Sequence, residues 1–294
     1  MIKMPTFYKD ADGYLSAETR KSIGEQIKAD IEAYSVKTLT DEHRNHLGAS
    51  IIGKECAREA WYIFRWVKFQ VFDGRMLRLF DRGKKEEANF VNLLRAIGCQ
   101  VWEVDPITGK QFRIYGVKGH FGGSLDSGGL LPYLPDFPIL MEFKTHNTKS
   151  FTNLVNKGLI LSKPQHYSQM CSYGAHYKFR YGLYVAINKN DDDIWPELVE
   201  LDWKRAHDLE NKAQDIIESQ FPPQRISDNP AYFACKWCFA SEICHNNAPV
   251  EINCRSCKCA LPVENGEWRC TRFDAIIPGE YIKKGCEFHV SVNI

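Results

Sequence analysis

The stretch PILMEFKTH, from Pro138 to His146, holds the residues on which the interpretation of the whole chain depends. Its apolar run, Ile139 to Met141, is typical of a buried strand. The run leads directly into Glu142, Phe143 and Lys144, so an acid and an amine lie two residues apart at the end of that strand. An exposed ion pair at a sheet edge would account for these two charges alone. A catalytic interpretation therefore needs a second observation.

The second observation is an acid on a glycine-rich segment upstream. Asp126, in GGSLDSGG, stands 16 residues before Glu142, and the neighbouring glycines let the backbone approach a ligand closely. Two carboxylates from adjacent strands form an oxygen-rich pocket that suits Mg²⁺ or Mn²⁺. In such a pocket Lys144 would favour hydroxide at the metal or offset negative charge on a phosphate.

Apolar periodicity and composition divide the chain into three segments. We expect an N-terminal helical extension over residues 1–48, a main domain over 49–248 and a cysteine-rich module over 249–294. The order of helices and strands in the main domain predicts an α/β fold with a mixed central sheet flanked by helices. The predicted helices are Ala17–Ser35, Gly74–Gly98, one beginning near Pro164, and Trp203–Gln220.

The combination of Asp126 with Glu142, Phe143 and Lys144 resembles the PD-(D/E)XK nuclease superfamily over about residues 48–244. The resemblance is greatest to its RecB-like branch, to phage-encoded exonucleases and to CRISPR adaptation nucleases. It implies a restriction-endonuclease-like core in which Asp126, Glu142 and Lys144 are catalytic. It also implies that Asp126, Glu142 and the Phe143 carbonyl hold Mg²⁺ or Mn²⁺.

Four further positions extend this resemblance. Glu87, in RGKKEEANF, follows the apolar stripe of a predicted helix and fits the helical acid of the RecB-like branch. His120, in KGHFGGSLD, takes the place of an upstream histidine, although it stands six residues before Asp126 where many members show two. The resemblance makes Glu87 catalytic and gives Glu87 and His120 a supporting role at the metal. Gln169 and Tyr173, in HYSQMCSYG, match a Q-x3-Y helix motif associated with DNA binding.

The cysteines indicate bound metal rather than disulfides if the compartment is reducing. Cys235, Cys238 and Cys244 supply three thiolates, so a fourth ligand must come from elsewhere. The resemblance makes Cys56 that ligand, because RecB-like nucleases with an iron–sulfur cluster have one cysteine before the core and three after it. A 4Fe–4S cluster would then clamp the two ends of the domain together. The alternative is zinc, with His245 as the fourth ligand.

The tail has ligand spacing of its own. Paired cysteines followed by two more soft ligands suit tetrahedral Zn²⁺, and so short a segment needs such a crosslink to fold. We therefore expect a zinc-ribbon-like module, with Cys99 and Cys171 left as buried fillers elsewhere. The predicted ligands are Cys254, Cys257, Cys270 and Cys286, with His289 or Cys259 as alternatives to the last.

Bulk properties restrict the function only weakly. The 294 residues carry a net charge of +1, which neither indicates nor excludes a nucleic-acid partner. The sequence shows no apolar stretch of signal-peptide or membrane-spanning length, so we expect no membrane association and a cytoplasmic protein, in the host cytoplasm if it is phage-encoded.

These observations favour a Mg²⁺-dependent deoxyribonuclease, an exonuclease that processes DNA ends in replication or recombination. Its partner would be DNA with single-stranded or free ends, with Arg58 and Arg82 holding phosphates. A replication or recombination protein would bind the C-terminal module. Two alternatives stay open, a non-catalytic DNA-binding or recombination-mediator protein with the same fold and a metal-dependent hydrolase of another phosphodiester.

Overall fold

A computed structural model describes residues 14–39 and 44–292 of the chain. The chain forms two compact units. One is bounded by Met1–Glu42 and Val71–Lys85, and the other by His43–Gln70 and Glu86–Ile294. The predicted C-terminal module thus belongs to the same unit as the predicted nuclease core. The helices are α1 Ala17–Thr38, α2 Ala49–Ile52, α3 Ala57–Phe64, α4 Gly74–Ala96, α5 Thr148–Ser162, α6 Pro164–Tyr177, α7 Trp203–Glu218, α8 Phe233–Lys236, α9 Ser241–Asn246 and α10 Gly279–Ile282.

The first unit contains helix α1 and the beginning of α4. Helix α1 begins after Ser16, whose hydroxyl accepts a hydrogen bond from the backbone N–H of Thr19. Within this unit Arg78 donates to Glu32 (2.6 Å) and to the hydroxyl of Ser35 (2.9 Å). These bonds join the two segments of the unit, and the predicted helix Ala17–Ser35 is confirmed with three more residues.

The second unit is built on a five-stranded mixed sheet with the strand order β2-β5-β6-β7-β8. Strands β6 and β7 are parallel, and the other neighbours in this sheet are antiparallel. The predicted mixed sheet flanked by helices is therefore confirmed. Its strands are β2 Gln100–Trp102, β5 Ser127–Leu131, β6 Leu134–His146, β7 Tyr181–Asn188 and β8 Ile194–Glu200.

Two smaller sheets complete the second unit. Strands β1 Leu47–Gly48, β3 Arg113–Gly116 and β4 Phe121–Ser124 form one of them, in the order β1-β4-β3. The other is antiparallel and lies in the tail, where β9 Ala260–Pro262, β10 Trp268–Cys270 and β11 Ala275–Ile276 are neighbours.

The long strand β6 separates two apolar cores, because alternate side chains of a strand point to opposite faces. Ile139, Met141 and Phe143 pack in a core with α4, where the Phe143 ring stacks on Phe90 with centroids 5.2 Å apart. Leu140 faces the larger core under α5 and α6. Glu142 shares the parity of Leu140, so the sheet directs this acid beneath the helices rather than into solvent.

Candidate active site

The ends of strands β4, β5 and β6 bring the predicted acids and lysine together. Asp126 lies between β4 and β5, and its Oδ2 accepts a hydrogen bond from the backbone N–H of Phe143 (3.0 Å). The Lys144 ammonium lies 3.7 Å from the same Oδ2, contacts Oε1 of Glu142 and donates to the Phe143 carbonyl (3.0 Å). One ammonium group therefore touches both acids, as the spacing of the sequence predicts.

Glu142 is fully buried, and only one of its oxygens is hydrogen-bonded. Its Oε1 accepts from Lys144 and from the side-chain amide of Gln169 (2.9 Å). Its Oε2 is buried without a hydrogen-bond partner among the described residues. Burial and the Asp126 charge raise the pKa of the Glu142 carboxyl to about 7, against the opposing effect of Lys144. A buried oxygen with no donor is a suitable ligand for a hard cation, so this acid fits a divalent metal.

Glu87 acts on the same cluster through its charge. Its carboxylate contributes to the raised pKa of Glu142. Burial lowers the pKa of the Lys144 ammonium, but Glu142, Asp126 and Glu87 together outweigh burial and raise it. Lys144 therefore stays charged near neutral pH. Glu87 is a third acid whose charge acts on the site, and its catalytic role stays a prediction.

Gln169 and Tyr173 lie at the site, but in a different role from the predicted DNA contact. Both side chains are buried, with 7% and 2% of their surfaces exposed. Gln169 donates to Glu142, and Tyr173 forms a hydrogen bond with Gln169. Burial, followed by the charges of Glu142 and Asp126, raises the pKa of Tyr173, so its hydroxyl stays protonated. The Q-x3-Y motif thus packs against the acid cluster, and its contact with DNA stays a prediction.

His120 has other partners than the predicted metal. Its ring is fully buried, and its Nε2 lies 2.9 Å from the Val263 carbonyl and 3.0 Å from the Glu267 carbonyl of the tail. Burial and the Arg255 charge lower the pKa of His120 to about 4, so the ring is neutral. A neutral imidazole whose N–H is directed at these carbonyls helps to hold the C-terminal module. The structure therefore gives no support to a magnesium role for His120.

The two predicted phosphate-binding arginines lie on different helices, Arg58 on α3 and Arg82 on α4. Arg58 donates to the Cys244 sulfur (3.8 Å) and lies over the Tyr62 ring, 5.9 Å from its centroid. Arg58 thus lines the cysteine cavity, and its contact with DNA stays a prediction. Arg82 lies on α4 in the first unit, and its DNA contact stays a prediction.

A line of polar side chains continues from the site, and the sequence interpretation did not include it. His146 follows Lys144 at the same parity of β6, and its Nε2 lies 2.8 Å from the Tyr184 hydroxyl on β7. The same hydroxyl lies 2.8 Å from Nδ1 of His166 on α6. Burial lowers the pKa values of His146 and His166 to about 4 and 3. The alternation of Glu142, Lys144 and His146 is a signal in the sequence that indicates this line.

The first cysteine set converges on one cavity. Burial and the neighbouring thiols of Cys56 and Cys244 raise the pKa of Cys235. His245 lines the same cavity, so the alternative fourth ligand is also at hand. Arg225 donates to the Cys244 carbonyl. Four cysteines line this small cavity, and they are Cys56, Cys235, Cys238 and Cys244.

The tail cysteines are also neighbours. Burial raises the pKa of Cys254 to about 11, and the charges of Cys286, Cys257 and Cys270 contribute. The alternative ligand His289 directs its Nε2 at Ser256, 3.0 Å from the hydroxyl and 3.1 Å from the carbonyl oxygen. The cysteine set is thus closer to the predicted arrangement than the histidine alternative.

Metal binding by the acid cluster and by either cysteine set stays a prediction. Within residues 14–39 and 44–292, no group of three or more His, Cys, Asp or Glu side chains has the arrangement needed to hold a metal ion. The zinc-ribbon assignment of the tail rests on the sequence spacing. None of the helices in the described part of the chain is long and apolar enough to cross a membrane.

The fold and the site together define a mixed α/β protein with three acids and a lysine clustered at β6, the middle strand of its central sheet. No protein-family model matches the chain. No curated protein matches it either.

Solved structures give distant matches. The crystal structure of SSO0001 matches with a TM-score of 0.48 and 16% identity, over 77% of this chain and 99% of that one. The alkaline exonuclease LHK-Exo from Laribacter hongkongensis matches with a TM-score of 0.42 and 18% identity, over 64% of this chain and 90% of that one. Its complex with dAMP gives a TM-score of 0.43 with the same identity and coverage. At these scores the matches identify neither a family nor an activity for this chain.

Proposed function

We propose that the protein is a divalent-metal-dependent deoxyribonuclease whose active site is the cluster of Asp126, Glu142, Lys144 and Glu87. The observation that carries the proposal is the buried Oε2 of Glu142, which has no donor among the described residues although the carboxyl lies beside a lysine and two further acids. In a protein that only binds DNA, carboxylates that face the phosphates would repel them. A divalent ion between a carboxylate and a phosphate would attract both groups.

Asp126, Glu142 and the Phe143 carbonyl are the groups that would hold Mg²⁺ or Mn²⁺, with Glu87 in support. When bound, such an ion lowers the pKa of a coordinated water and offsets charge on the phosphate. The chain's own residues fix the geometry around it. Asp126 is held by the Phe143 N–H, and Glu142 is held by Gln169. Lys144 keeps its positive charge and is placed to orient the nucleophile or the scissile phosphate.

The substrate we propose is DNA, and the reaction is exonucleolytic removal of nucleotides from its ends. Support for this finer assignment comes from the resemblance of the Asp126, Glu142 and Lys144 pattern to nucleases of the RecB-like branch. We further propose a structural 4Fe–4S cluster on Cys56, Cys235, Cys238 and Cys244. Structural zinc in the tail would be held by Cys254, Cys257, Cys270 and Cys286.

A substrate panel tests the proposed function. Purified protein is mixed with linear and circular DNA, single- and double-stranded, with the two ends separately labelled, in Mg²⁺, in Mn²⁺ and in EDTA. We expect metal-dependent release of nucleotides from linear DNA and none from circles. Cleavage of circular DNA would show that the enzyme is an endonuclease rather than an exonuclease. DNA binding without cleavage in either metal would contradict the proposal and indicate a DNA-binding protein.

The structural metals have their own measurement. Anaerobically purified protein should be brown and contain both iron and zinc by elemental analysis. Colourless protein with two zinc ions per chain would instead support His245 or Cys56 in a second zinc site.

A further inference from the structure

The polar line beyond Lys144 is a continuous chain of hydrogen-bonding groups under helices α5 and α6. The Lys163 ammonium donates to the Ser150 hydroxyl (2.8 Å), and Ser150 lies 3.1 Å from Nδ1 of His146. Nε2 of His146 and Nδ1 of His166 each lie 2.8 Å from the Tyr184 hydroxyl. Four contacts thus join five side chains from strands β6 and β7, both helices and the α5–α6 junction.

The direction of this chain follows from its first member. An ammonium group can only donate, so the Ser150 oxygen accepts from Lys163 and its own proton is available to Nδ1 of His146. Neutral His146 then carries its proton on Nε2 and donates it to the Tyr184 oxygen. The Tyr184 proton goes in turn to Nδ1 of His166, which leaves the His166 proton on Nε2. In this assignment every hydroxyl and ring nitrogen from Ser150 to His166 Nδ1 has a partner.

The far end of the chain lies at the acid cluster. His166, Gln169 and Tyr173 share one face of α6, because positions three and four apart on a helix are neighbours. Gln169 donates to Glu142, so His166 stands one turn of helix away from the residue that bonds a buried acid of the site. Tyr184 is also the direct β7 neighbour of Glu142 in the sheet register. Burial lowers the pKa of His166, and the charge of Lys144 lowers it further, so the ring stays neutral.

We propose that this chain delivers a proton to the leaving oxygen of the cleaved phosphodiester, with His166 Nε2 as the donor. The inference rests on the proposed nuclease function and adds the acid half of its reaction. Water, having given one proton to solvent, forms the new O–P bond, and the bond from phosphorus to the 3′ oxygen breaks. The 3′ oxygen takes the His166 Nε2 proton.

Each remaining group then passes one proton along. Tyr184 protonates His166 Nδ1, His146 Nε2 protonates Tyr184, Ser150 protonates His146 Nδ1, and Lys163 protonates Ser150. Lys163 is partly exposed and regains its proton from solvent. The uptake from solvent at Lys163 balances the release from the attacking water. Burial lowers the pKa of Lys163, which suits a group that gives up a proton and recovers it.

The first test separates proton delivery from a merely structural role by changing the leaving group. His166→Gln is compared with wild type on DNA that carries one normal linkage and on DNA with a 3′-bridging sulfur at the same linkage, in Mn²⁺. A thiolate leaves without protonation, because a thiol has a pKa of about 8.5. We expect kcat on the normal linkage to fall about 100-fold with KM little changed, a loss typical of removing a general acid. On the sulfur linkage the loss should shrink to about threefold or less.

His176→Gln is the matched control, since His176 is exposed on the same helix. It should leave both rates unchanged. Equal losses for His166→Gln on the two linkages would overturn proton delivery while leaving the nuclease assignment intact. Failure of the wild type to cleave either linkage would instead overturn the proposed function, and the relay with it.

A second test needs neither metal nor substrate. Nitrogen NMR of histidine-labelled, metal-free protein at neutral pH reports which ring nitrogen carries the proton. We expect Nε2–H on both His146 and His166, and a changed His166 signal in Tyr184→Phe but not in Tyr177→Phe, whose hydroxyl bonds to Arg113 instead. An Nδ1–H on His166 would reverse the direction of the chain and overturn the proposal.

Discussion

Glu142 is a fully buried residue that keeps one polar atom available for a ligand. Its side chain is shielded from solvent, yet one oxygen has no donor among the described residues. Leaving a buried acceptor unsatisfied costs about 1–3 kcal/mol in an ordinary fold. The simplest explanation is that this oxygen of Glu142 binds a ligand, which would satisfy it.

Gln169 offers a test of how the acid is held. In Gln169→Leu, Oε1 of Glu142 keeps Lys144 as its donor but loses the amide at 2.9 Å. The pKa of Glu142 should rise further, because a hydrogen bond to the charged form is removed. We expect the acid limb of the pH–rate profile to move to higher pH, with kcat about tenfold lower at neutral pH. Gln165→Leu, on the same helix but bonded to the Ser50 carbonyl, is the control.

Buried histidines make a second residue-scale prediction. The folded-state pKa values of His120, His146 and His166 lie at about 4, 4 and 3, below the ordinary 6.5. Between pH 6.5 and 4 the unfolded chain takes up protons that the folded chain does not, so stability falls as the pH drops through that range. Glu142 acts in the opposite sense, because its raised pKa favours the folded state as the pH falls from about 7 to 4.5.

Three histidines outweigh one carboxyl, so the free energy of unfolding should decrease on acidification, by on the order of 3 kcal/mol per histidine. Denaturant titrations at several pH values measure it. His166→Gln should flatten the curve between pH 6.5 and 4. An unchanged slope in that variant would mean that His166 is already charged in the native protein.

At the scale of elements, the close approach of β2 and β5 depends on a glycine. A Cβ at Gly129 would overlap the carbonyl oxygen of Gln100 and lie 2.8 Å from Cε of Met141. Gly129→Ala should therefore push β2 away and lower stability by about 2–3 kcal/mol, as overpacking does. Gly83→Ala on α4 meets no atom within 4 Å and should be neutral or stabilising, by up to about 1 kcal/mol. Thermal unfolding of both variants measures the contrast, and equal melting temperatures would contradict the packing described for β5.

The elements also show what can be inferred from sequence. Period-3.6 patterns predict α1, α6 and α7 to within a few residues. The apolar side is buried in α6 and α7, whereas Ile27, Ile31 and Tyr34 of α1 are exposed. Helix α5 was not predicted. It contains Gly158 at a φ of 72°, and its first turns are polar, so local pattern is weak there. The strand with Glu142 was predicted because charges that directly follow an apolar run are conspicuous, and Asp126 was predicted from its glycine-rich segment.

Contacts between residues far apart in the sequence explain why His120, Gln169 and Tyr173 have partners that the sequence did not predict. Nothing near His120 indicates that its ring bonds to carbonyls more than 140 residues away. The Q-x3-Y spacing places Gln169 and Tyr173 on one face of α6, but only the fold shows that this face packs on Glu142. The relay residues come from four elements, and local spacing in the sequence indicates only His146 among them.

At the scale of the whole molecule, the second unit joins the tail to the sheet-bearing core. Arg65 is buried and donates to the carbonyls of Ala260 (2.9 Å) and Cys257 (3.3 Å). Arg255 is also buried, with its guanidinium 4.3 Å from the Trp66 ring centroid and 4.8 Å from that of Trp268. Removing the tail would leave Arg65 and His120 without these partners and expose aromatic surface.

We therefore expect deletion of residues 249–294 to lower the melting temperature strongly or to yield aggregated protein. An independent tail would instead leave a core with unchanged stability. Differential scanning calorimetry of the full chain and the truncated chain distinguishes these outcomes. Chelation of the full chain should act in the same direction if the tail holds zinc, since metal binding contributes to folding.

The most direct measurement compares Mg²⁺-dependent cleavage of end-labelled linear DNA by the wild type, Glu142→Gln and Glu200→Gln. Glu200 is an exposed acid of the same sheet, paired with Arg180, and serves as the matched control. Glu142→Gln keeps the side-chain shape and removes the charge that would hold the ion. We predict a rate lower by at least about 100-fold for Glu142→Gln, comparable to the loss of a key electrostatic group, and a wild-type rate for Glu200→Gln. Cleavage by folded Glu142→Gln at the wild-type rate would contradict the active site described for this protein.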